Sequence, residues 1–143
     1  MAAFAFFTSS SFAQIEVHEN EPKEEIGKVK VLFDTTLESS RRGDMYTIMY
    51  QDTKFQHIKE FKSFSLTEES FNQIYDLIQD NWDNPPKEDL MIELQSGELL
   101  WLHFTKALGV TNLQLHHSPD GNADVIGVSM PLNQKKIDKL FGK

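Results

Sequence analysis

Apolar residues at helical spacing follow an extended segment near the middle of the chain. Thr67 is a candidate N-cap, with Leu66 before it and Phe71 four residues after it, which is the spacing of a hydrophobic staple. The apolar stripe continues to Trp82, and Asp83-Asn-Pro-Pro86 then ends the helical pattern. The pattern predicts a strand-to-helix joint at 66–67 and a helix over about 67–82.

The same order of residues returns near the C-terminus. Leu132 precedes a candidate cap at Asn133, Ile137 takes the staple position, and Gly142 is a natural helix stop. We therefore predict a second, shorter helix over about 133–141. The two joints would arise from an ancient duplication or from common capping rules alone, and sequence identity between the halves is negligible.

Alternating apolar and polar positions predict the strands. The segments are 29–33, 46–50, 55–64, 90–94, 99–104, 113–117 and 125–130. Polar connections are expected over 38–44 and 105–111. Residues 55–64 also fit a short helix, and as a strand they would carry a bulge near Lys62–Ser63.

The clearest hairpin turns at Gln95-Ser-Gly97. A three-residue loop with a left-handed glycine pairs Ile92 with Leu100 and Leu90 with Leu102. Short turns require antiparallel pairing, and two amphipathic helices must cover sheet. The predicted fold is α+β, an antiparallel sheet of about six to seven strands with two helices, in the order β-β-β-α-β-β-β-β-α.

Composition narrows the class of protein. The chain has 143 residues, 39% of them hydrophobic, no cysteine and a formal net charge of −8. This charge argues against nucleic acid as a partner, because phosphate binding relies on clustered Lys and Arg. The absence of cysteine excludes disulfides, thiolate metal sites and cysteine nucleophiles.

The N-terminal residues resemble part of an export signal. A short apolar run precedes Ser11 and Ala13, which would be the small residues of a signal-peptidase site, but no Lys or Arg comes before Lys23. The run is too short to span a membrane, which takes about 20 residues. We expect a truncated signal peptide over 1–13, an acidic disordered spacer over 14–28 and one α+β domain over 29–143. The expected location is periplasmic or secreted, with the cytoplasm as the alternative.

Candidate site residues come from the sheet face opposite Leu100 and Leu102 and from the turn at His117–Asp124. We select Met91, Trp101, His103, His116 and Asp124 as ligand- or partner-binding residues. For Trp101 itself, packing in the core under a helix is the favoured interpretation.

No catalytic residue, metal site or cofactor is predicted. Adjacent His116 and His117 would point to opposite faces of a strand, and no His-Glu-x-x-His, Gly-x-Ser-x-Gly or glycine-rich phosphate motif is present. An enzyme is therefore disfavoured. The expected function is that of an exported accessory protein that binds another envelope or secreted protein. The alternatives are a small-ligand binding module and a metal-dependent hydrolase that uses His103 and His116.

Overall fold

The two predicted joints are present in a computed structural model, which describes residues 21–55, 58–124 and 126–143. The elements in chain order are β1 (Glu24–Val31), β2 (Asp34–Arg42), β3 (Met45–Gln51), β4 (Phe61–Thr67), α1 (Glu68–Asp80), β5 (Leu90–Glu93), β6 (Leu99–Ala107), β7 (Val110–Ser118), β8 (Gly127–Val128) and α2 (Gln134–Leu140). The α+β class is confirmed. In the described residues, four strands rather than three precede the first helix.

The strands form two antiparallel sheets of four. Sheet A has the order β1-β2-β3-β4, and sheet B has the order β5-β6-β7-β8. Each half of the described chain is therefore a meander of four strands that leads into one helix. The hairpin register predicted from the alternation is confirmed, with Leu90 opposite Leu102 and Ile92 opposite Leu100.

Both helices begin at the predicted caps. Thr67 Oγ1 accepts the Ser70 amide hydrogen at 3.1 Å. At the second joint, Asn133 Oδ1 accepts the Lys136 amide hydrogen at 2.9 Å. Because these bonds satisfy amide groups of the first turn that have no partner within the helix, they fix where each helix starts.

The polar connection expected over 38–44 is wrong. The chain turns earlier, at Leu32-Phe33, and only Gly43-Asp44 separates β2 from β3. The disordered spacer expected over 14–28 is also wrong where the structure describes it, since Glu24–Lys28 belong to β1. Residues 1–20, which include the expected signal peptide, lie outside the described residues.

Cross-strand ion pairs explain why such polar segments form strands. Lys23 and Lys28 contact Glu38, and Arg41 contacts Glu24. Opposite charges on paired strands stabilise a ladder that composition alone would assign to a loop.

Two further boundaries differ from the expectation. β4 pairs with β3 from Met45–Thr67 to Gln51–Phe61 without a register shift, so the bulge near Lys62–Ser63 is wrong. The connection expected over 105–111 shrinks to a two-residue turn, Leu108-Gly109, because β6 and β7 extend to meet it. Both residues have positive φ angles, as a tight hairpin turn requires.

One hydrophobic core joins both sheets and both helices. It includes Leu37 and Phe64 of sheet A, Leu100 and Leu115 of sheet B, and Ile78 of α1. α1 lies against β3 and β4, and α2 lies against β1 and β2. In the described part of the chain, no helix is long and apolar enough to cross a bilayer. The core therefore occupies one face of each sheet, and the opposite faces remain for function.

Candidate functional site

A row of side chains crosses the outer face of sheet B. Met91 lies opposite Trp101, Trp101 opposite His116, and His116 opposite Val128. Residues directly opposite each other in a sheet point to the same side. The register thus brings together three of the predicted site residues from three different strands.

Trp101 does not lie in the core, so the favoured interpretation of its packing is wrong. Its neighbours Leu100 and Leu102 are fully buried, whereas Trp101 is half-buried and Met91 is 62% exposed. Alternation along β6 explains this result, because the positions on either side of Trp101 point inward. The indole therefore belongs to an accessible sheet face.

His103 joins this row through an aromatic stack. The His103 and His116 rings are stacked, with centroids 4.8 Å apart and planes inclined by 27°. His103 Nδ1 lies 2.7 Å from Asp89 Oδ1, which holds the first ring in place. Asp89 was not predicted as a site residue, although it lies two positions before Met91 and continues the same alternation. We name Met91, Trp101, His103, His116 and Asp89 the imidazole face.

The environment of His116 disfavours the protonated form of its imidazole. Burial lowers the pKa of His116, and the neighbouring His103 and Lys54 act in the same direction, while Asp89 acts against them. His116 Nε2 is buried and has no hydrogen-bond partner in the described structure. A buried polar atom normally has a partner. In the described residues, His116 Nε2 is an exception to that rule.

Asp124 lies apart from the row. It belongs to the connection between β7 and β8, where its backbone amide donates to Asn122 Oδ1 at 2.9 Å. Within residues 21–55, 58–124 and 126–143, no group of three or more His, Asp or Glu side chains is placed to hold a metal ion.

His117 points inward and forms a buried polar network that the sequence did not reveal. Its Nδ1 lies 2.8 Å from Tyr50 Oη, and its Nε2 lies 3.0 Å from Glu98 Oε1. A carboxylate can only accept, so Nε2 carries the hydrogen and Nδ1 accepts from the Tyr50 hydroxyl. Tyr50 and His117 are both fully buried. The network of Tyr50, His117 and Glu98 therefore ties sheet A to sheet B through the core.

Burial also sets the protonation of this network. It lowers the pKa of His117, although Glu98 acts in the opposite direction. It raises the pKa of the Tyr50 phenol, and the charges of Asp52 and Glu98 add to this effect. Tyr50 therefore remains a donor and His117 a neutral acceptor. Because both are fully buried, we assign the network to stability.

A second link between the sheets lies beside this network. Lys62 Nζ binds Asp52 Oδ2 at 2.5 Å, and Asp52 Oδ1 accepts the Val128 amide hydrogen at 3.1 Å. Burial acts to raise the pKa of Asp52, but these bonds and the Lys54 amide hold that pKa below its usual range. Asp52 thus fixes β8, and with it one end of the row on the imidazole face, to sheet A.

Comparison of the chain with protein-family models, curated proteins and solved structures finds no match. The class that the fold and the site define is an α+β domain of two four-stranded sheets that carries an imidazole face.

Proposed function

We propose that the protein is an exported accessory protein that binds another protein through the imidazole face. The observation that carries this proposal is the row in which Met91, Trp101 and His116 lie side by side on a sheet face that is not part of the core. Aromatic residues and methionine are enriched at protein interfaces, and this row contains both kinds of side chain.

The shape of the face favours a macromolecule over a small ligand. Small-molecule sites are concave and bury most of their ligand. Met91 is 62% exposed, and the row lies across one side of a sheet. A large partner can cover such a surface. The small-ligand module and the metal-dependent hydrolase have no comparable support in the described residues.

The test compares variants of the face with a matched control. Purified protein is immobilised, exposed to cell-envelope extract with and without cross-linking, and the retained proteins are identified by mass spectrometry. Met91→Glu and Trp101→Ala should abolish retention of the specific partner, because a central aromatic anchor contributes about 2 kcal/mol or more, roughly 30-fold in affinity.

Met45→Glu is the control. Met45 is 50% exposed and lies in sheet A, so the substitution adds the same charge at a similar exposure away from the face. It should leave retention unchanged. Equal retention by all the variants, or no partner in envelope extract, would contradict the proposal. The choice of extract rests on the export signal expected over residues 1–13, which cell fractionation tests separately.

A further inference from the structure

A groove lies between an outer strand of one sheet and an outer strand of the other. In the described residues, β4 pairs only with β3, and β5 pairs only with β6. Residues 65–67 of the β4 side and 92–95 of the β5 side line a single cavity of about 220 Å³. We name this cavity the edge groove.

Helix α1 forms the third side of the edge groove. Ile74 and Leu77 supply apolar surface there, and Ser70 and Gln73 lie beside them. Ile74 is buried, whereas Gln73 is exposed. The groove therefore combines an apolar wall with two strand edges.

The two edges offer backbone hydrogen-bonding groups. An outer strand has a row of N–H and C=O groups on the side without a neighbour, and an added chain can pair with them. Seven residues of β4 and four of β5 are in strand geometry. An extended peptide between them could hydrogen-bond to either edge, as in recognition by strand addition.

The size and charge of the edge groove indicate which class of ligand it can bind. A cavity of about 220 Å³ is below the roughly 300–1,000 Å³ of small-molecule sites, so it can enclose only one or two side chains of a larger ligand that extends beyond it. Glu93 is exposed and is the one charged residue that lines the groove in the described structure. Glu69 lies beside the groove, since its Oε1 accepts from Gln73 Nε2 at 3.4 Å. A second copy of the chain would bring its own net charge of −8, which opposes association. A basic extended segment complements the groove.

We propose that the edge groove binds an extended segment of another protein, with alternating apolar and basic residues, by strand addition between β4 and β5. The apolar residues contact the wall formed by α1, and the basic residues face Glu93. The residues that line the groove do not include Met91, Trp101, His103 or His116. Glu93 follows Met91 by two positions on the same side of β5, so α1 residues such as Gln73 are the ones that distinguish the groove from the imidazole face.

The binding test uses a labelled peptide of alternating lysine and valine, about six residues long, which matches a typical strand. Fluorescence anisotropy with the full chain should show saturable binding. An analogue with alternate backbone nitrogens methylated should bind about ten-fold more weakly or worse, because it loses ladder donors. Amide hydrogen exchange should slow in β4 and β5 when the peptide is bound. Equal binding of the methylated analogue, or no slowing in either strand, would overturn the proposal.

Adjacent residues of α1 provide matched variants. Gln73 lines the groove, whereas Asn72, also exposed, faces a different surface depression. Gln73→Trp should weaken peptide binding about ten-fold or more by filling the groove, and Asn72→Trp should leave it unchanged. Glu93→Lys should weaken it by roughly 1.5- to 5-fold, as expected for one exposed ion pair.

The competing outcomes are distinguishable. Equal binding by the Gln73→Trp and Asn72→Trp variants would refute the groove as the site. Concentration-dependent dimerisation without peptide, blocked by Gln73→Trp, would show that a second copy is the occupant and would overturn the proposal. Because Gln73 is remote in sequence from the imidazole face and does not belong to it, failure here leaves the Met91 and Trp101 experiment unaffected.

Discussion

Removal of one hydroxyl group tests whether the buried polar network holds the two sheets together. Tyr50→Phe keeps the ring, which packs against Phe64 and His117 with centroids 6.4 and 5.6 Å away. It removes the donor that lies 2.8 Å from His117 Nδ1. The change leaves a fully buried imidazole nitrogen without a partner.

The expected cost follows from that orphaned nitrogen. A buried polar atom left unsatisfied costs about 1–3 kcal/mol, more than the net value of an average hydrogen bond. For a chain of this length, 1 kcal/mol corresponds to about 4 °C in Tm. Tyr50→Phe should therefore lower Tm by about 4–12 °C.

Tyr75→Phe is the matched control. The Tyr75 hydroxyl donates to Asp138 Oδ1 at 2.7 Å, but the same oxygen also accepts from Gln134 Nε2 at 3.0 Å. Its loss leaves Asp138 with another donor, so the cost should be about 0.5 kcal/mol. Thermal and urea unfolding, followed by circular dichroism, measure both variants. If Tyr50→Phe costs no more than Tyr75→Phe, the network does not stabilise the fold as argued.

Other substitutions test the turns, caps and titration of the fold. Leu108→Asn should raise the free energy of unfolding by about 0.5–1 kcal/mol, because Leu108 is fully exposed at φ 54° before Gly109; an unchanged Tm would contradict this. Gly27→Ala should lower the free energy of unfolding by about 1–3 kcal/mol, since the new Cβ would overlap the α2 backbone. An unchanged free energy in urea unfolding would disprove that close packing. Thr67→Ala should cost about 1 kcal/mol through loss of the α1 cap, and Thr67→Ser should restore most of it. Burial lowers the pKa of His117 below its ordinary 6.5, so the unfolded state binds more protons and stability should fall as the pH drops below about 6.5. His117 contributes at most about 1.4 kcal/mol per pH unit, and His116, whose pKa is also lowered, adds to the slope in the same direction. A His117→Gln variant with an unchanged slope would argue against the contribution of His117.

Local rules were sufficient for the parts of the fold that depend on short-range chemistry. The caps at Thr67 and Asn133 follow from side chains that satisfy amide hydrogens three residues away. The register of the β5–β6 hairpin follows from its turn and from the inward side chains of Leu100 and Leu102. Neither feature needs knowledge of the rest of the chain.

Long-range pairing decided the parts that the sequence did not reveal. The strand β2 contains Glu38-Ser-Ser-Arg-Arg42, which has loop-like composition, and it forms a strand because β1 and β3 pair with it on both sides. The link between Tyr50 and His117 joins residues 67 positions apart. Alternation could have identified Asp89 as part of the imidazole face, but it could not show that the His103 and His116 rings stack.

The two neighbouring histidines of β7 have different roles, one in the stability of the fold and the other on the proposed binding surface. His117 points into the core, where Tyr50 and Glu98 bind both of its ring nitrogens. His116 lies on the opposite face and stacks on His103, and its buried Nε2 has no hydrogen-bond partner in the described structure. Because successive residues of a strand face opposite sides, one step along the chain moves an imidazole from a structural role to a surface one. Substitution of His117 should therefore change unfolding, whereas substitution of His116 should change partner binding with little effect on Tm. This difference is the means to distinguish a true interface residue from one that acts only through the fold.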